Sequence, residues 1–196
     1  MPCIRRFIGA FVCLLLAVST LAACGGAAEL RPYKAALGDS TPTGAVLKTS
    51  LDSDLGELCA EYTAAFSDGA ISVEYKRDTV TEFDPDIADS GKITETEGSY
   101  AKAADGTVTG EISPLVLSVL TRGITLDEGY ISAYAVGEEG TLSFSVSAEN
   151  TETVFGTPIG YGVNCKITLA EKRITVIELS YTAASGEALV KCEYGY

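Results

Sequence analysis

Two short runs of this sequence carry side chains whose types and spacing could do chemistry. Ser99 and Lys102 match the S-x-x-K spacing, in which a lysine activates a serine nucleophile without any histidine. No S-D-N or K-T-G partner follows, so a polar strand is the better interpretation. Acidic residues from Asp84 to Glu95 are spaced like calcium ligands, but Asp89 stands where such a loop needs glycine. We therefore predict no catalytic residue and no metal site.

Composition narrows the possible functions further. The 196 residues include no histidine and no tryptophan, which removes every histidine-based triad, general base and metal ligand. There are 27 acidic against 14 basic side chains, a net charge of −13, so nucleic acid would be repelled. We expect a protein that is not an enzyme, needs no cofactor and does not bind nucleic acid.

The N-terminus has the pattern of an export signal. Basic residues up to Arg6 precede an apolar run from Phe7 to Thr20, which is shorter than the roughly 20 residues that span a bilayer. The run ends in Leu21-Ala22-Ala23-Cys24, which resembles the lipobox of bacterial lipoproteins. The resemblance implies that signal peptide 1–23 is removed and that Cys24 carries acyl chains such as palmitate. The mature protein would then be anchored to the cell membrane on its extracytoplasmic side. An ordinary secretory signal with an incidental cysteine is the alternative.

The mature chain divides into two parts. Residues 24–44 are rich in glycine, proline, serine and threonine and predict a lipidated N-terminus with a flexible tether. Residues 45–196 contain no second linker and no repeat, and predict a single antiparallel-β domain.

Two short helices are expected in this domain. Leu55, Leu58, Cys59, Tyr62 and Phe66 follow helical spacing and predict an amphipathic helix over 53–67, with a hairpin strand ending at Ser67-Asp68-Gly69 as the alternative. A second helix is predicted from Ser113-Pro114 to Thr121, with serine at the N-cap and proline at the first helical position.

The rest of the domain alternates between apolar and polar residues, which indicates half-buried strands. Alternation is clearest over 141–148 and in a three-stranded meander after Val163, with weaker strands near 92–104, 107–112 and 126–136. The predicted fold is mainly β (α+β). It is one strongly curved antiparallel sheet of about eight strands, a half-barrel with one or two short helices on its concave face.

The dimensions of these elements raise the question of a cavity. Eight strands span about 38 Å, whereas two helices cover about 20 Å of one face. Either the sheet curls until its inner face meets itself, or an apolar cavity remains. In a meander, Cys165 and Cys192 share a face about 9.6 Å apart, too far for a disulfide. Cys59 on the predicted helix could reach one of them, or all three thiols are free.

This order of elements resembles bacterial lipoproteins of the LolA-like class, including LppX-type lipid carriers. The resemblance implies an unclosed barrel whose concave apolar face holds acyl chains. We therefore expect a lipid or other hydrophobic ligand on the inward positions Phe144, Val146, Ile167, Leu179 and Val190. The alternative is a non-enzymatic surface interaction or structural module with a fully packed core. No protein partner can be named from the sequence.

Overall fold

The computed structural model describes residues 28–39, 41–53, 56–80 and 91–196. The lipobox and the acidic run at Asp84–Asp89 lie outside these residues, so both remain predictions. The described residues form one antiparallel sheet of ten strands with three α-helices. The predicted class, mainly β with one open antiparallel sheet and short helices, is confirmed, with ten strands rather than about eight.

In chain order, the first five strands run from the centre of the sheet to one edge, and the last five run from the other edge back to the centre. The strands are β1 (Gly44–Ser53), β2 (Gly56–Ser67), β3 (Ala70–Val80), β4 (Ile93–Lys102), β5 (Val108–Gly110), β6 (Ser132–Val136), β7 (Thr141–Val146), β8 (Val163–Ala170), β9 (Arg173–Ala183) and β10 (Gly186–Gly195). The helices are α1 (28–38), α2 (Pro114–Leu120) and α3 (Thr151–Phe155). The order across the sheet is β5-β4-β3-β2-β1-β10-β9-β8-β7-β6. The first and last strands therefore pair in the middle, and β5 and β6 form the two edges.

Alternating residues give the sheet two unlike faces. The covered face is the side against which the three helices pack, and its apolar side chains form the core. The open face is the opposite side, which carries Lys48, Lys76 and Lys191 among exposed polar neighbours. Fully buried members of the covered face are Leu47, Val73, Leu142, Ile167, Ile177, Leu179 and Cys192.

Tight turns set the register of the hairpins. Asp68 and Gly69 connect β2 to β3 with φ angles of 46° and 82°, and Glu171 and Lys172 connect β8 to β9 with 51° and 64°. Two consecutive positive φ angles are typical of a type I′ turn, which matches the twist of antiparallel strands. Each turn fixes which side chains of its two strands share a face.

The helix predicted over 53–67 is wrong, and the alternative hairpin strand is confirmed. Residues 56–67 form β2, which ends at the Asp68-Gly69 turn. Leu58 shares the covered side of β2 with Tyr62 and Phe66 at a strand period, because the small residues Ala60 and Ala64 occupy the positions between them. Cys59 lies on the opposite, open face.

The predicted tether also needs correction, because residues 28–38 form α1. Leu30, Tyr33 and Ala36 of this helix are 0–3% exposed and belong to the same core as the sheet. The folded unit therefore begins before residue 45. The second predicted helix is confirmed as α2, with Ser113 at the N-cap position and Pro114 at its start.

A buried arginine connects α1 to the rest of the domain. Arg122 follows α2, is 8% exposed, and has a left-handed backbone with φ of 58°. Its Nη1 donates to the carbonyl oxygens of Ala36 and Asp39, both at 3.0 Å, and to the Tyr196 hydroxyl at 3.4 Å. A cation at the C-terminal end of a helix is favoured by the helix dipole. Arg122 thus holds the end of α1 against the core.

Candidate functional site

The structure brings the five predicted ligand-binding residues together on the covered face. Phe144, Val146, Ile167, Leu179 and Val190 are only 0–4% exposed and belong to one core cluster with the helices. Val119 and Leu120 of α2 and Phe155 of α3 are members of the same cluster. An acyl chain could reach these positions only by displacing part of this packing.

Both main grooves of the described residues lie instead on the open face. The larger encloses about 1050 Å³ over β1 to β4 and β10, and the smaller about 450 Å³ over β7 to β9. Leu189 of β10 contributes to both grooves and is 47% exposed. The two grooves therefore adjoin at Leu189 of β10, and we refer to them together as the depression.

A row of charged residues crosses the strands along this depression. We call these seven residues the charge row: Glu97, Lys76, Glu61, Lys48, Lys191, Glu178 and Lys166. Each is the register partner of the next, so the row passes through β4, β3, β2, β1, β10, β9 and β8 in turn. Every member lines one of the two grooves.

Most neighbours in the row are of opposite charge and form ion pairs. The Lys76 ammonium lies 2.6 Å from Glu97, and Lys48 lies 3.1 Å from Glu61. Glu97 raises the pKa of Lys76, and Lys76 in turn lowers the pKa of the Glu97 carboxyl. In the other half of the row, on the same open face, Lys166 lies 3.6 Å from Glu178. Because the side chains are exposed, these pairs add little to stability, but they fix the charge pattern of the face.

The exception is the centre of the row, where two lysines are opposed. Lys48 of β1 and Lys191 of β10 are direct register partners. Like charges at such positions are unfavourable. The Lys191 ammonium pairs with Glu193 of its own strand at 2.7 Å, which raises the pKa of Lys191. Lys48 and Lys191 are therefore the one pair of neighbours in the charge row that carry the same charge.

The serine and lysine of the S-x-x-K run do not form a site. Ser99 faces the open side of β4 and lines the larger groove, whereas Lys102 has the opposite parity and faces the covered side. Residues three apart on a strand point to opposite faces, so lysine cannot take the proton of this serine. Within the described ranges, there is no cluster of three or more potential metal ligands.

The three cysteines of the domain are unpaired thiols. Cys165 and Cys192 lie on the covered face with β9 between their strands, as predicted, and burial raises the pKa of both. Cys59 is exposed on the open face. The alternative in which Cys59 pairs with one of the others is wrong, because the sheet lies between them.

Sequence reasoning missed the charge row for a definite reason. The lysines and glutamates stand at the polar positions of alternating strands, which the sequence shows, but their alignment depends on the pairing of β1 with β10. Those strands are separated by more than 130 residues, and nothing local fixes their register.

No protein-family model matches this chain, and no curated protein matches it. No helix among the described residues has both the length and the apolar character needed to cross a membrane.

Proposed function

We propose that this chain is an extracytoplasmic lipoprotein anchored to the bacterial membrane through Cys24, and that its domain is a non-enzymatic binding module. The open face, with its polar depression, is the surface that receives a partner. The observation that carries this proposal is the contrast between the faces. The covered face is packed under helices, while both grooves lie on the other side.

The short connection to the anchor supports this reading. Only four positions separate Cys24 from residue 28, where the described part of α1 starts. Four residues of extended chain span at most about 14 Å. A lipid on Cys24 would therefore keep the folded domain close to the membrane surface and would link it directly to α1.

Carriage of a lipid on the covered face is the competing function. It requires α1 to leave the sheet, because Leu30, Tyr33 and Ala36 occupy the apolar surface there. Without that movement, the domain holds no acyl chain beyond those of the anchor.

Two measurements test the proposal. The full chain is expressed in bacteria with a clickable fatty acid analogue, and Cys24→Ser is the matched control. We expect label on the parent chain and none on the variant, and an unlabelled, secreted parent chain would contradict the anchor. Native mass spectrometry of the detergent-extracted protein should show the mass of the lipidated chain alone. A further acyl lipid bound in stoichiometric amount would favour the carrier instead.

A further inference from the structure

The charge row is symmetric about the middle of the sheet. Read outward from the boundary between β1 and β10, one side runs Lys48, Glu61 and Lys76. The other side runs Lys191, Glu178 and Lys166. The two halves therefore present the same order of charges, with the lysine pair at the centre.

The topology relates the two halves of the row by one axis. Two antiparallel neighbours are related by an approximate two-fold axis perpendicular to the sheet, and here the neighbours are the first and last strands. A ligand that matches one half of the row in charge therefore matches the other half as well. An elongated ligand lying across the strands could use both halves at once.

The spacing of the row fits an extended polypeptide. Adjacent strands are about 4.8 Å apart, so each carboxylate next to the lysine pair lies about 7 Å from the pair's midpoint. Alternate side chains of an extended chain are about 6.7 Å apart. The outer lysines lie about 12 Å from the midpoint, against about 13 Å for the next alternate side chain. The match extends over five side chains of the ligand.

We infer that the depression binds an extended peptide segment whose alternate side chains read acidic, basic, acidic, basic, acidic. The central acidic side chain lies over Lys48 and Lys191, and the basic side chains lie over Glu61 and Glu178. The inference rests on the proposed function and names the class of partner. The central ligand carboxylate would add a second counter-charge to the opposed lysines, beside that of Glu193.

The absence of tyrosine from the row favours a peptide over a glycan. Sugars and bases bind by stacking on aromatic faces, but the strand tyrosines Tyr62, Tyr75 and Tyr194 lie on the covered face. The exposed apolar member of the depression is Leu189, next to the lysine pair. It offers the spacer residues of a peptide one small apolar contact.

The test uses synthetic peptides and the full lipidated chain in a non-ionic detergent. The matched peptide is Glu-Ser-Lys-Ser-Glu-Ser-Lys-Ser-Glu, and its isomer Glu-Ser-Glu-Ser-Glu-Ser-Lys-Ser-Lys has the same composition. Fluorescence anisotropy should show the matched peptide binding about tenfold tighter than the isomer, since register decides how many charges pair. The difference should shrink in 1 M salt, where the screening length is about 3 Å.

Charge variants of Lys48 and Lys191 show whether the peptide binds to the charge row. The double variant Lys48→Glu, Lys191→Glu should bind the matched peptide more weakly and prefer Glu-Ser-Lys-Ser-Lys-Ser-Lys-Ser-Glu, in which only the central charge is reversed. Lys172→Glu makes one of these charge changes in an exposed turn away from the row and should leave binding unchanged. If the double variant does not fold, as judged by circular dichroism, the single variant Lys191→Gln replaces it, and weaker binding of the matched peptide is expected.

Three results would overturn the inference. They are equal binding of the matched peptide and its isomer, no binding of either, or an equal loss of binding in the Lys172→Glu control. None of them affects the fatty acid label or the native mass, so failure of this inference is distinguishable from failure of the proposed function.

Discussion

Removal of the Arg122 side chain tests whether α1 is held to the sheet by one buried guanidinium. Its hydrogen bonds to the carbonyl oxygens of Ala36 and Asp39 are charge-assisted, at 3.0 Å each, and each such bond contributes about 1.5–3 kcal/mol. The Nε atom of Arg122 is buried without a hydrogen-bond partner, and this desolvation cost of about 1–3 kcal/mol offsets part of the stabilisation from the two hydrogen bonds. We therefore expect Arg122→Ala to lower the free energy of unfolding by about 3 kcal/mol.

The backbone at Arg122 supplies a second, independent comparison. Its φ of 58° is accessible to glycine at little cost, whereas another residue there loses about 1 kcal/mol. Arg122→Gly removes the same hydrogen bonds as Arg122→Ala but also removes this strain. The glycine variant should therefore be about 1 kcal/mol more stable than the alanine variant.

Urea denaturation and limited proteolysis together measure the effect. Lys34 is exposed on α1, and trypsin cannot cut after it while the helix is packed. Faster cleavage at Lys34 in Arg122→Ala would show that α1 is released. Lys102→Ala is the control, because that exposed cation lies on β4 and has no contact with α1, Arg122 or Tyr196 among the hydrogen bonds and ion pairs of the described residues. Unchanged stability and unchanged cleavage in Arg122→Ala would refute the conclusion that Arg122 holds α1 against the sheet.

Two further predictions concern the centre of the sheet. Gly186 has a φ of 142°, and a Cβ there would overlap the backbone carbonyl oxygen of Asp52, so Gly186→Ala should lower the urea midpoint strongly or prevent folding. Normal folding of that variant would contradict the β1–β10 register. Burial raises the pKa of Cys192 from 9.0 to about 12, so its stability contribution is complete below pH 9 and is lost as pH rises toward 12. This shift corresponds to about 4 kcal/mol, and Cys192→Ala should show a smaller loss of stability between pH 9 and 11 than the parent; equal slopes would refute it.

The sequence predicts the strands of this fold wherever large apolar residues alternate with polar ones. Residues 141–146 and the meander from Val163 onward are clear in this respect, and both are confirmed. Prediction fails in β2 because alanine supplies two core positions. Counting only large residues leaves Leu58, Tyr62 and Phe66 at intervals of four, which a helix and a strand both allow.

Helix α1 was missed because composition outweighed periodicity. The segment contains Pro32 and ends at Gly38, residues that are typical of a tether, yet Leu30, Tyr33 and Ala36 recur every third residue and face the core. A helix with so narrow an apolar stripe is marginal alone and depends on packing. Its tertiary partners, Arg122 above all, are distant in sequence and give no local signal.

The route of the chain explains why we propose a partner for the open face of the sheet. Because the strands run outward from β1 and return to β10, the two ends of the domain meet at its centre, and α1 enters beside them. The core needs the covered face for helices, so apolar positions there are constrained by packing. The open face has no such constraint, and its residues could be exchanged for neutral polar ones with little effect on folding. The opposed lysine pair at the middle of an otherwise alternating charge row is a like-charge contact, which the domain balances from outside the row through Glu193. Local rules of this kind are broken mainly at functional or strained sites, which is why we place the partner's acidic group over Lys48 and Lys191.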